Sequence, residues 1–125
     1  MIVGVGIDTL ELQRLERLWR RAGERFLQRV YTAAEREYCL RQARPVPSLT
    51  ARFCAKEAVM KCLGTGWTGG VGFRAIEVVR AASGAVAIAL HGTAAAVARA
   101  QGIRRVHVSL SHNEHSAVAV AVAEG

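Results

Sequence analysis

The chain has 125 residues, a length that fits a single domain over residues 1–125 and allows a core burying about two-thirds of the unfolded surface. Apolar residues make up 51% and aromatic residues 6%, so the composition excludes a disordered chain and predicts an interior of Ala, Val, Leu and Ile. Seventeen basic against ten acidic residues leave a net charge of +7, which implies a negatively charged partner or substrate: phosphate groups, nucleic acid or an acidic protein.

In chain order, Ile2, Val3, Val5 and Ile7 read as a short buried strand ended by Asp8-Thr9. From Leu10 the period becomes helical through Leu15, Leu18, Trp19 and Ala22; Gly23 interrupts it, and Phe26, Leu27 and Val30 resume it. Thr32 with Glu35 three residues later is a capping box, so a helix starts there and ends before Pro45-Val46-Pro47. The next helix is expected from Ser48 or Thr50 to Leu63, stopped by Gly64, followed by a glycine loop holding Gly64, Gly66, Gly69, Gly70 and Gly72. Ile76–Arg80 and Ala85–Leu90 flank Ser83-Gly84 as a hairpin, and Thr93–Gln101 reads as an Ala-rich helix closed by Gly102. Val106, Val108 and Leu110 alternate with polar residues, while Ala117–Ala123 is apolar on both faces and reads as an interior strand. The expected class is α+β: a helical first half, then a mostly antiparallel sheet with one more helix.

Cys39, Cys54 and Cys62 form an odd set without C-x-x-C spacing, which reads as reduced thiols of a cytoplasmic protein. Met1 to Ile7 show no charged leader, and no apolar run approaches the ~20 residues needed to cross a bilayer, so no membrane partner is expected.

Several positions allow both a plain and a chemical reading. Asp8, with Glu11 three residues on, fits a helix cap, yet a carboxylate at a strand end also faces any ligand there. Lys56 and Lys61 are the only lysines among seventeen basic residues. Glu57 and Lys61 lie one turn apart, which suits either a surface ion pair or a phosphate site. Gly64-Thr65-Gly66 is a helix stop and turn, or a loop that admits an anion, though it lacks the P-loop order. Ser111 and His112 close a strand, either as solvated turn residues or as phosphate contacts; being adjacent they point to opposite faces, which disfavours a Ser-His-Asp hydrolase. Arg14, Arg17 and Arg21 form a helical stripe, solvated or available to an acidic partner.

Three separated pieces then agree with one family: Gly6-Ile7-Asp8; Arg52-Phe53 through Lys56-Glu57-Ala58 to Lys61 with Gly64-Thr65-Gly66; and Ser109-Leu110-Ser111-His112. The chain resembles the holo-acyl-carrier-protein synthases, the small phosphopantetheinyl transferases. Val30-Tyr31-Thr32 with Glu35, Tyr38 and Cys39 is similar to the family's FT-x-x-E-x-x-Y-C stretch, and Ile76-Glu77-Val78 to its DIEV strand. The chain departs from the pattern at Ala75, where the family often has Asp, at Ala87, near a common Pro, and at Trp67 in the glycine loop.

The resemblance implies transfer of 4'-phosphopantetheine from coenzyme A to a serine of apo acyl carrier protein, releasing adenosine 3',5'-bisphosphate. It implies Mg²⁺ held by Asp8 and Glu57, with Lys61 completing a catalytic set, and leaves the base open between Glu57 and a metal-bound water. Lys61, Gly64, Thr65, Ser111 and His112 would bind coenzyme A, with Lys56 a possible assistant, and Arg14, Arg17 and Arg21 would dock the acidic carrier protein. It further implies a homotrimer with active sites between subunits. The competing reading is a basic nucleic-acid-binding module without catalysis; seven aromatics and an arginine face interrupted by Glu11, Glu16 and Glu24 weigh against it, so no nucleic-acid partner is expected.

Overall fold

Strand β1 (Ile2–Glu11) runs antiparallel to β5 (Ser116–Glu124), which pairs on its other side with β4 (Arg105–His112), giving the order β1-β5-β4. This computed structural model describes residues 1–65 and 71–125, so Gly66, Trp67, Gly69 and Gly70 of the glycine loop lie outside the described residues. Between the paired ends come α1 (Leu12–Ala22), α2 (Glu24–Val30), α3 (Ala33–Leu40) and α4 (Pro45–Leu63). A hairpin of β2 (Ile76–Arg80) and β3 (Val86–Leu90) forms a second, two-stranded sheet, and α5 (Gly92–Ala100) leads into β4. The expected α+β class and its antiparallel pairing are present, in two sheets rather than one.

Alternation decides which way the three-stranded sheet faces. Ala117, Ala119, Ala121 and Ala123 of the central strand are buried under α4, while Val118 and Val120 are exposed. The register carries this across to β1, where Val3, Val5 and Ile7 also face outward, Val5 at 62% and Ile7 at 60% exposure. β5 is thus interior within its sheet, as expected, but one of its apolar faces is open. Among the described residues no helix is long and apolar enough to cross a membrane.

Three local expectations change. β1 does not stop at Asp8: its pairing continues to Glu11 opposite Ser116, so Asp8 is a strand residue. Glu11 is the N-cap of α1 and makes no side-chain capping bond, which removes the cap reading of Asp8. Helix α4 begins at Pro45 rather than Ser48, because Pro45 and Pro47 both fall in the first turn, where backbone N–H groups have no intrahelical acceptor to lose. Leu18, expected on the buried stripe of α1, is exposed, whereas Leu12 and Leu15 are buried.

The capping box is formed as expected: Glu35 N donates to Thr32 Oγ1 at 3.2 Å and Thr32 N to Glu35 Oε1 at 2.8 Å. Glu35 does more than cap. Its carboxylate is buried, accepts from Lys56 Nζ at 2.7 Å and from Val78 N at 2.7 Å, and so ties α3, α4 and β2 together. Lys56 Nζ also donates to Phe73 O at 3.1 Å and Ile76 O at 2.6 Å. Lys56 is therefore a core strut and not an assistant at the phosphate site.

Candidate active site

Helix α4 separates structure from chemistry by face. Arg52 lies buried with its guanidinium over the Tyr38 ring at 4.3 Å, and Phe53 stacks between Phe26 and Phe73. With Lys56, these point into the helical and hairpin side of the core. Cys54, Ala58, Lys61 and Cys62 form another stripe, at the i, i+4, i+7 and i+8 spacing that places residues on one side of a helix.

That second stripe meets β1 at very short range. A Cβ on Gly6 would lie 1.9 Å from Ala58 O, and one on Gly4 would lie 2.6 Å from Cys62 O, so only glycine permits this approach. Two strand residues advance about 6.8 Å and four helix residues about 6 Å, which keeps strand and helix in step. Gly4 faces Cys62 and Gly6 faces Ala58. The next inward strand position, Asp8, accordingly comes to Cys54.

The site is built around that thiol. Cys54 is buried, and its Sγ donates to Ala117 O at 3.7 Å. Burial pushes the thiol up to about 12, and the carboxylates of Asp8 and Glu57 push in the same direction while the Lys61 ammonium opposes them. Asp8, Glu57 and Lys61, separated by up to 53 positions in the chain, are thus all close enough to act on the charge of one thiol. Lys61 Nζ donates to Ile7 O at 2.6 Å and stands 3.5 Å from Asp8 Oδ1. As a cation in the last turn of α4 it also opposes the negative end of the helix dipole.

The donor set suits a hard divalent cation. Mg²⁺ is commonly held by one or two carboxylates, with water and substrate phosphate filling the remaining positions. Asp8 and Glu57 are two carboxylates that both act on the Cys54 thiol. Among the described residues no cluster of three or more His, Cys, Asp or Glu side chains could hold a metal ion.

Gly64 ends α4 in the left-handed region at φ 72°, with Gly64 N bonded to Lys61 O at 3.1 Å and Thr65 N to Met60 O at 3.3 Å, the Schellman pattern. This places Thr65 directly beyond Lys61. Ser111 and His112 do not join the cluster within one chain. His112 is opposite Ala117 and shares the α4 side of the sheet with Asp8, but it lies two strands over, about 10 Å, and two residues along, about 7 Å. Ser111, opposite Val118, belongs to the open apolar face. Arg14, Arg17 and Arg21 are all exposed on α1, with Leu18 among them.

Cys54 and Gly6 are the residues that sequence reasoning assigned no part in the site. Cys54 was legible only as one of three thiols, although its spacing to Glu57 and Lys61 already put it on their side of the helix.

A family model described as the 4'-phosphopantetheinyl transferase superfamily matches residues 4–122. The chain belongs to this superfamily. The holo-[acyl-carrier-protein] synthase of Koribacter versatilis is 48% identical over 124 residues, covering 99% of each chain. The crystal structure of the Neisseria meningitidis holo-[acyl-carrier-protein] synthase matches with a TM-score of 0.92 and 37% identity, covering 100% of both chains. That of the Helicobacter pylori enzyme in complex with coenzyme A matches with a TM-score of 0.85 and 27% identity, covering 96% of this chain and 99% of the other. Transferase architecture and site geometry thus meet in one chain.

Proposed function

We propose that this protein is a Mg²⁺-dependent holo-acyl-carrier-protein synthase, transferring 4'-phosphopantetheine from coenzyme A to a serine of apo carrier protein. The observation that carries this reading is that Lys61, one turn beyond Glu57 on α4, stands 3.5 Å from Asp8 of β1 in a member of the transferase superfamily. In the reaction the serine Oγ bonds to the phosphorus on the pantetheine side of the diphosphate. The bond to the bridging oxygen breaks, and its electron pair leaves with adenosine 3',5'-bisphosphate.

Asp8 and Glu57 would hold the cation, which when bound neutralises diphosphate charge and stabilises the leaving phosphate. Lys61 adds positive charge beside the same oxygens, where negative charge grows during transfer. Glu57, or a water held by the cation, would take the serine proton. Gly64 and Thr65, at the end of the helix that carries Lys61, line the entry for the nucleotide. Arg14, Leu18 and Arg21, at i, i+4 and i+7 of α1, present two cations around an apolar side chain, a surface suited to an acidic carrier protein.

The open face of Val3, Val5, Ile7, Val118 and Val120 supports assembly into a homotrimer. Ser111 lies on this face and His112, on the opposite one, ends the same strand, so in a trimer this strand end would serve a neighbouring chain's site. Three buried free thiols accord with a reducing cytoplasm.

The test is mass spectrometry of apo carrier protein incubated with coenzyme A and Mg²⁺. The expected result is a gain of one phosphopantetheinyl group, lost on adding EDTA and largely lost in Asp8→Ala and Glu57→Ala. Full transfer by either folded variant would remove the carboxylate pair from the chemistry. Light scattering should give the mass of three chains; a monomer would refute the trimer.

A further inference from the structure

We infer that Lys61 is a built-in stand-in for the divalent cation, holding Asp8 until coenzyme A arrives, so that metal and coenzyme A bind as a coupled pair. The inference rests on the metal-site reading of Asp8 and Glu57. Its basis is where the ammonium lies: 3.5 Å from Asp8 Oδ1, and anchored by a 2.6 Å bond to Ile7 O, the carbonyl immediately before Asp8. The lysine therefore does not point into solvent awaiting a phosphate, although its side chain is 54% exposed and free to swing outward.

A cation approaching the Asp8 carboxylate meets this positive charge first. Part of its binding free energy is spent on displacing the ammonium, which lowers metal affinity in the absence of substrate. A diphosphate offers Lys61 a doubly charged acceptor with strong oxygen ligands. Once the ammonium turns to the phosphate, Asp8 is released to the cation, and the cation reaches the same diphosphate. Each ligand removes an obstacle to the other, and linkage requires that the factor by which coenzyme A strengthens metal binding equal the factor by which metal strengthens coenzyme A binding. The geometry thus gives Lys61 two successive partners, Asp8 at rest and phosphate in the loaded site.

The experiment is Mn²⁺ binding followed by electron paramagnetic resonance, with and without coenzyme A and with no carrier protein present, so that no turnover enters the readout. For Lys61→Met we expect Mn²⁺ affinity without coenzyme A about tenfold higher than in the parent chain, equivalent to about 1.4 kcal/mol. Enhancement of Mn²⁺ binding by coenzyme A should shrink by a similar factor. Lys61→Arg, which keeps a cation at the position, should stay near the parent value. Unchanged or weaker Mn²⁺ binding in substrate-free Lys61→Met would overturn the inference. So would a gain that disappears at about 0.5 M salt, where a remote charge is screened within a few ångströms but a direct contact to Asp8 persists. Asp8→Asn separates the two levels: if it leaves Mn²⁺ binding untouched, the metal-site reading itself fails, whereas if it weakens binding and Lys61→Met does not strengthen it, only the stand-in role fails.

Discussion

Replacing Lys56 by Met tests whether this lysine is structural. Its ammonium is fully buried, 2.7 Å from the equally buried Glu35 carboxylate, with Phe73 O and Ile76 O as further acceptors. Burial lowers the pKa of this lysine and Glu35 works against that shift, as expected for a cation that stays charged only because it is paired. Met preserves most of the volume but strands the carboxylate. Breaking a buried pair in this way costs about 3–5 kcal/mol, about a fifth or more of the stability of a small domain, commonly about 5–15 kcal/mol. The double variant Glu35→Leu/Lys56→Met should not recover the loss. Val78 N and Thr32 N bond the same carboxylate and would lose that acceptor, at about 1–3 kcal/mol for each buried group. Urea unfolding measures both effects, and activity is then compared per folded molecule. Since Lys56 faces away from Asp8, specific activity of the folded fraction should fall by less than a few-fold. Loss of transfer with stability within about 1 kcal/mol of the parent would refute this reasoning and return Lys56 to the chemistry.

Gly6→Ala places a methyl group 1.9 Å from Ala58 O and should cost about 3 kcal/mol or more by calorimetry, while Gly72→Ala, with φ −88° and nothing within 4 Å, should be neutral within about 0.5 kcal/mol. Glu77 has its pKa lowered by the hydrogen bond from His91 at 3.0 Å and by Thr32 at 2.8 Å. A carboxyl with a depressed native pKa contributes stability above its unfolded value, about 4.3, and loses it as the pH falls through the native value. Glu77→Gln should therefore cost about 0.5–1 kcal/mol in urea titrations at pH 7 and progressively less under acid, and a constant difference across that range would contradict the assignment. Arg14→Glu should raise KM for carrier protein more than KM for coenzyme A; steady-state kinetics showing equal changes would move the docking face elsewhere.

Legibility in the sequence followed the range of each interaction. The Thr32/Glu35 box was readable because both partners lie within one turn, and Gly64 because a helix stop is a local event. The second use of Glu35, across 21 residues to Lys56, left no local mark. Asp8 resembled a cap because Glu11 follows it, but strand pairing with β5, whose neighbour contact runs from Thr9 to Ala117 over 108 residues, carries β1 past that point. Pro45 and Pro47 look like breakers until their place in the first turn is known.

The two lysines show what periodicity alone can decide. Five residues apart on a helix at 100° per residue, Lys56 and Lys61 point about 140° away from each other, so they could never serve one phosphate together. The period does not say which of them faces β1. That answer lies in the strand: Gly4 and Gly6 occupy successive inward positions and Asp8 the next, a spacing in which two absent side chains let α4 settle and the third position supplies a carboxylate at the edge of the contact. The glycines bring the helix close, the closeness brings Cys54 against Asp8, and the helical period then delivers Glu57 and Lys61 to the same place. Gly6 and Asp8 are therefore one feature read along a strand, which is why a methyl group at Gly6 should disturb the carboxylate pair as well as the core.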